Sequence, residues 1–129
     1  MFTNTRKILV IDDDEAMREC IAFFLEEEGH MVTVCNDGIE GVRHFEQEPY
    51  DLVITDIMMP GKDGLGVMIA MEKINPDVPI LAISGVAMKE ALLDAADIFG
   101  ATHTLKKPFS REDLVASVAD IFNPAPVQA

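Results

Sequence analysis

The feature that most restricts this chain is an alternation, in which short apolar runs and amphipathic stretches follow one another five times. Ile8–Ile11, Met31–Cys35, Leu52–Thr55, Ile80–Ile83 and Thr102–Leu105 are short, apolar or β-branched, and bounded by turn residues, which predicts strands. After each run, apolar residues recur at helical spacing. Ala16, Cys20, Phe23 and Phe24 mark a first helix, and Ile39, Val42 and Phe45 a second. Leu65, Met68, Met71 and Ile74 mark a third, and Leu92, Ala95, Ala96 and Phe99 a fourth. Leu114, Val115, Val118, Ile121 and Phe122 mark a fifth. Strand–helix units in succession predict a parallel sheet covered by helices on both faces, joined by right-handed crossovers.

The runs ILVI, LVIT and ILAI are unbroken and suit central strands, whereas the second and fifth carry Thr or His and suit edges. The expected architecture is α/β, a three-layer (βα)5 sandwich with a five-stranded parallel sheet in the order 2-1-3-4-5, the flavodoxin-like class. Caps mark the boundaries. Asp37 with Glu40, and Ser110 with Asp113, have capping-box spacing. Gly29 and Gly100 can stop the first and fourth helices, and Pro76 and Pro79 close the third. Glu26-Glu27-Glu28 forms a solvated helix end, set unfavourably against the helix dipole. Residues 1–122 are expected to form one domain, and 123–129, with Pro124 and Pro126, a flexible tail or linker stub.

The chain has 129 residues, enough for one domain with a real core. A net charge of −13 should repel nucleic acid and anionic membrane. Neither a signal-peptide pattern nor an apolar stretch long enough to span a bilayer is visible, so a cytoplasmic location is expected. Cys20 and Cys35 lack CxxC spacing and are expected as reduced core residues.

Ligand sites in open parallel sheets lie outside the carboxyl ends of the strands. Four such ends carry chemistry here: Asp12-Asp13-Asp14, Asp56, Ser84, and Lys106-Lys107-Pro108. Carboxylates packed together repel, which raises some of their pKa values unless cations relieve them. Lys107 can supply one positive charge, and a divalent metal the rest. With no His or Cys at the expected site, the donors suit Mg2+ or Mn2+ rather than Zn2+. Phosphoryl transfer needs an in-line nucleophile and stabilised equatorial oxygens. Asp56 can be that nucleophile, with the metal, Lys107 and Ser84 on the oxygens.

Each of these elements also has a structural reading. Asp12–Asp14 can be turn and N-cap residues, Asp56 with Pro60-Gly61 loop punctuation, Ser84-Gly85 a turn, and Lys106-Lys107 a solvated pair. Their joint placement is what points to chemistry. His30, His44 and His103 lie in different elements without ligand spacing and are read as structural or surface residues.

KILVIDDDEAMR, DLVITDIMMPGKDGLG, PILAISG and GATHTLKKPF resemble the receiver domains of bacterial response regulators, over about residues 6–122. The resemblance implies that Asp56 is the phosphorylated aspartate. It implies Mg2+ held by Asp13 directly, by Asp12 often through water, by Asp56, and by the backbone carbonyl of Met58. It makes Ser84 the switch hydroxyl and Lys107 the phosphate-binding lysine, with a cis Lys107–Pro108 bond. It implies a signalling receiver rather than an enzyme, one that assists its own phosphorylation and the slow hydrolysis of its aspartyl phosphate. The implied partners are a sensor histidine kinase or phosphotransfer protein upstream and a downstream protein or effector domain. Thr104 departs from the pattern, standing where Tyr or Phe is usual and normally swings inward with the switch hydroxyl.

Other readings differ in their nucleophile or ligand. A small haloacid-dehalogenase-type phosphatase would use the D-x-D of Asp12-Asp13-Asp14, but Ala16 stands where Thr or Val is expected, and Asp56 would be left without a role. A flavodoxin-like cofactor binder would want Gly, Ser and Thr, not acids, after the first strand. A pseudo-receiver used only for docking would not need the complete acceptor set.

Overall fold

The computed structural model describes residues 5–57, 64–85 and 103–123. Five parallel strands, β1 (Lys7–Ile11), β2 (Met31–Cys35), β3 (Leu52–Asp56), β4 (Ile80–Ser84) and β5 (His103–Lys106), form one sheet in the order β2-β1-β3-β4-β5. Four helices are described: α1 (Glu15–Glu27), α2 (Gly38–Gln47), α3 (Gly64–Ile74) and α4 (Arg111–Phe122). The last of these is the fifth apolar stripe. The stripe at Leu92–Phe99, Gly100, Thr102 and the tail from Pro124 lie outside the described residues.

Residues alternate across a strand, and the core divides accordingly. Leu9, Ile11, Val53, Ile80 and Ala82 face one way and pack with Phe45 of α2 and Val67, Met68 and Met71 of α3. Ile8, Val10, Leu52, Ile54, Leu81 and Ile83 face the other way, against Ile21 and Leu25 of α1 and Leu114 and Val118 of α4. Both faces of β1, β3 and β4 are thus buried, which is why these runs are unbroken in sequence, while β2 and β5 are the edges.

Five apolar expectations are corrected, at Ala16, Cys20, Phe23, Ile39 and Ile74. Ala16, Cys20 and Phe23 are exposed, because α1 turns the neighbouring stripe of Met17, Ile21, Phe24 and Leu25 inward. Ile39 of α2 also points outward, and Gly38 and Gly41 face the sheet in its place. Ile74 ends α3 at the surface, 42% exposed.

Caps form at Asp37, Ser110 and Gly29, the reciprocal box being that of Ser110. Asp37 Oδ1 accepts the Glu40 N–H at 2.8 Å, and Ser110 and Asp113 make a reciprocal capping box. Gly29, at φ 90°, follows α1 with a left-handed backbone that suits glycine. The acidic end of α1 is answered by Arg111 of α4, whose guanidinium reaches Glu27 at 3.3 Å and Glu28 at 3.1 Å. These partly exposed pairs contribute at most about 1 kcal/mol.

A Cβ at Gly41 would lie 2.7 Å from Ile11 Cγ1 and closer still to Cδ1. Alanine gains about 1 kcal/mol over glycine in a helix interior. Overpacking a filled core costs roughly 1–3 kcal/mol. Gly41→Ala should therefore lower stability on balance, by about 1 kcal/mol, seen as an earlier urea midpoint with an unchanged slope.

Candidate functional site

Asp12 directly follows β1, and Asp56 and Ser84 are the last residues of β3 and β4. Backbone hydrogen bonds clamp these ends. Asp12 N–H donates to Cys35 O at 3.2 Å, Ile57 N–H to Ile83 O at 3.0 Å, and Lys107 N–H to Ser84 O at 2.7 Å. The Arg18 guanidinium of α1 donates to the Asp12 carbonyl at 2.8 Å. β3 and β4 each run one residue further than their apolar patterns suggest, so sheet pairing holds the backbone of Asp56 and Ser84.

Asp12, Asp13 and Asp56 come together, each offering a carboxylate oxygen within 4.8 Å of the others. Asp12 is 1% exposed and Asp56 5%, while Asp13 is open to solvent. Lys107 reaches in from the end of β5, its ammonium 2.9 Å from Asp56 Oδ2 and 3.7 Å from Asp12 Oδ2. Ser84 is buried at the end of the strand between them. The Lys107–Pro108 bond is cis. Thr104 is exposed on β5, level with Ala82 of β4. Met58 lies outside the described residues.

Asp14 behaves differently from its neighbours. Its side chain accepts the backbone N–H groups of Ala16 and Met17 and caps α1. The turn reading therefore holds for this one aspartate of the three.

Among the described residues, one lysine faces three carboxylates. Like charges at this spacing repel by on the order of 3 kcal/mol per pair at the effective dielectric of a protein surface. Burial pushes the Asp12 carboxyl up from its usual range, and the charges of Asp56 and Asp13 add to this. The Asp14 N–H, donated to Asp12 Oδ1 at 2.9 Å, and the Lys107 charge oppose it without cancelling it. For Lys107, burial works against the charged form, but the hydrogen bond to Asp56 and the charges of Asp12, Asp56 and Asp14 outweigh it and raise its pKa. Among the described residues, Asp12 Oδ2 is buried without a hydrogen-bond partner, the Lys107 ammonium at 3.7 Å being an ionic neighbour only. An orphaned carboxylate oxygen beside two more carboxylates, in an oxygen-only donor set, fits a hard divalent cation such as Mg2+.

The family profile of the response regulator receiver domain matches residues 8–119. The chain belongs to this family, which serves two-component signalling. Among curated relatives it is similar to response regulator MprA of Mycobacterium leprae, 36% identical over 87% of this chain and 49% of that protein. It is also similar to the transcriptional regulatory protein RprY of Bacteroides fragilis, 32% identical over 89% of this chain and 48% of that protein. The chain thus spans about half the length of these relatives. Among solved structures, it resembles a CheY-like receiver domain protein of Methanospirillum hungatei, with a TM-score of 0.87, 26% identity and coverage of 93% of this chain and 95% of that one. Vibrio cholerae chemotaxis protein CheY4 gives a TM-score of 0.85 at 25% identity, covering 92% of this chain and 99% of that one. The sheet order of this chain and these neighbours fit the flavodoxin-like class.

The raised Asp12 carboxyl has a consequence for stability. The folded receiver holds the Asp12 proton to higher pH than the unfolded chain does. Its stability contribution therefore falls as pH rises from about 4 through the raised pKa, and the whole penalty is present near neutrality. In EDTA near pH 7, Asp12→Asn should unfold later than the native chain, by on the order of 1 kcal/mol, with the difference shrinking toward about pH 4. Denaturant midpoints of both proteins across that range check it.

Proposed function

We propose that the receiver takes a phosphoryl group on Asp56, from a sensor histidine kinase, a phosphotransfer protein or a small phosphodonor. The carrying observation is the 2.9 Å contact between Lys107 Nζ and Asp56 Oδ2 at the edge of the three-carboxylate cluster. An Asp56 oxygen attacks phosphorus and forms a P–O bond. The bond from phosphorus to the donor breaks, and its electron pair leaves with the donor. No base is needed, since a carboxylate attacks without losing a proton. The Lys107 ammonium exchanges its contact with Asp56 for an equatorial phosphoryl oxygen, and the Ser84 hydroxyl donates to another.

Asp12, Asp13 and Asp56 are the residues that would hold Mg2+, with the Met58 carbonyl as a further ligand. The orphaned Asp12 oxygen supports this assignment. When bound, Mg2+ supplies positive charge to an equatorial oxygen of the group in transfer. Asp12 and Asp13 then hold a charge balance that Lys107 alone does not reach. The protein acts as a signalling receiver in the cytoplasm, assisting its own phosphorylation and slow aspartyl-phosphate hydrolysis, with residues 1–122 as its body and 123–129 as tail or linker.

Phosphorylation adds roughly −1.5 to −2 charge beside Ser84. Ser84 turns toward the new oxygens and draws the segment 85–89 with it, which shifts the affinity of the β5 and α4 face for a downstream protein or effector domain. Thr104 brings no aromatic ring to this change, so the readout rests on Ser84 and the chain that follows it. RprY, named as a transcriptional regulatory protein, is twice as long. Any contact with nucleic acid belongs in a separate segment, since the −13 charge of this chain disfavours it here.

With acetyl phosphate and Mg2+, mass spectrometry should find one phosphoryl group on the native chain and none on Asp56→Asn. Lys107→Ala should label about 100-fold more slowly or worse. An unlabelled native chain would overturn the proposal. Label that survives Asp56→Asn but not Asp12→Asn would move the nucleophile to Asp12 and favour a phosphatase-type site.

Mg2+ should raise the melting temperature of the native chain but not of Asp13→Asn, since binding to the folded state alone is stabilising. Beryllofluoride with Mg2+ should change amide exchange between Gly85 and Phe99. Unchanged exchange there would sink the switch.

A further inference from the structure

We propose that Cys35, Glu40 and His44 form a second cation site, one that takes a borderline-soft divalent metal of the Zn2+ class. A thiol, a carboxylate oxygen and an imidazole nitrogen from these residues all lie within 4.8 Å of one another. Their spacing in sequence, C-x4-E-x3-H, is turned into a cluster by the fold. Cys35 is the last residue of β2, and Asp37 then caps α2 immediately. That tight connection lays the first turns of α2 over the strand end. Glu40 and His44 stand one helical turn apart, with Nε2 and Oε1 3.9 Å from each other.

The dimensions suit a tetrahedral shell. Zinc binds nitrogen and oxygen at about 2.0–2.2 Å and sulfur at about 2.3 Å, so its donors sit roughly 3.3–3.8 Å apart. Contracting the cluster to that size needs only side-chain rotation of Glu40 and His44, which are partly exposed and adjustable. Cys35 is buried and fixed. Three protein ligands leave the fourth position to water from the open side.

The charges also match. A thiolate and a carboxylate neutralise a divalent ion, and neutral imidazole completes the set without excess charge. In the free protein, burial pushes the Cys35 thiol up to about 12, and the charges of Glu40 and Asp37 add to the rise. A metal reverses that balance, because the carboxylates that hold a proton on sulfur attract a cation equally well. On binding, the Cys35 proton passes to solvent and a metal–sulfur bond forms.

The mixed sulfur, nitrogen and oxygen donors differ in kind from the oxygen-only cluster of Asp12, Asp13 and Asp56, so the two sites should select different metals. They are also neighbours, since the Cys35 carbonyl accepts the Asp12 N–H.

The probe is Co2+, added to the reduced 129-residue chain in a Cys20→Ser background. Excess Mg2+ is present to occupy the acidic cluster. The expected result is one equivalent bound with a thiolate-to-cobalt charge-transfer band, displaced by Zn2+. Cys35→Ser should lose the band. His44→Gln, a change at a partly exposed position, should keep the fold and weaken binding roughly tenfold or more. Absence of the band, its survival in Cys35→Ser, or unchanged affinity in His44→Gln would each overturn the site. In that event Glu40 and His44 are an ordinary helix-surface pair and Cys35 a core thiol.

Discussion

Two aspartates are buried at the carboxyl end of this sheet, and among the described residues a single ammonium lies beside both. That arrangement is unfavourable by itself, and much of the local structure serves to hold it. Asp12 is anchored through its N–H to Cys35, through its carbonyl to Arg18, and through Oδ1 to Asp14. Asp56 is fixed by the pairing of β3 with β4. The apolar layers on both faces supply the stability that lets a polar cluster of this kind persist. Buried apolar side chains each contribute roughly 1.5–3 kcal/mol, and β1, β3 and β4 are lined with them.

The sheet was legible because its strands obey the simplest rule. A strand covered on both faces must be largely apolar, and ILVI and ILAI are so throughout, while LVIT admits only the buried Thr55. Strand order followed from which runs carried polar residues. Helix faces were harder to read. In α1, two adjacent stripes meet the same spacing rule, and only the crossing of α1 over the sheet selects Met17, Ile21 and Leu25 over Cys20 and Phe23. In α2, the side that approaches the sheet is read from glycine rather than from apolar residues, because Gly41 packs directly on Ile11.

The convergence of the candidate site residues was legible for a different reason. Strand ends are visible in sequence, and the four that carry chemistry converge on one edge in this topology. The distinction within Asp12-Asp13-Asp14 was not visible. One is buried, one is open and one caps a helix, and those roles depend on the turn the chain takes after β1. The grouping of Cys35 with Glu40 and His44 was hidden too. The C-x4-E-x3-H spacing matches no common ligand pattern, and the three donors meet only across a strand-to-helix corner.

Lys107 comes from the end of β5 and meets Asp56 at the end of β3, yet β4 lies between those strands. Neighbouring strands are about 4.8 Å apart, so the lysine spans about two spacings and forms an arch over the end of β4. The residue beneath that arch is Ser84, 1% exposed. Bulk at position 84 is therefore limited by the side chain that crosses above it. A small side chain leaves the passage open for the four-carbon stem, and a large one would lift the ammonium off both aspartates at once.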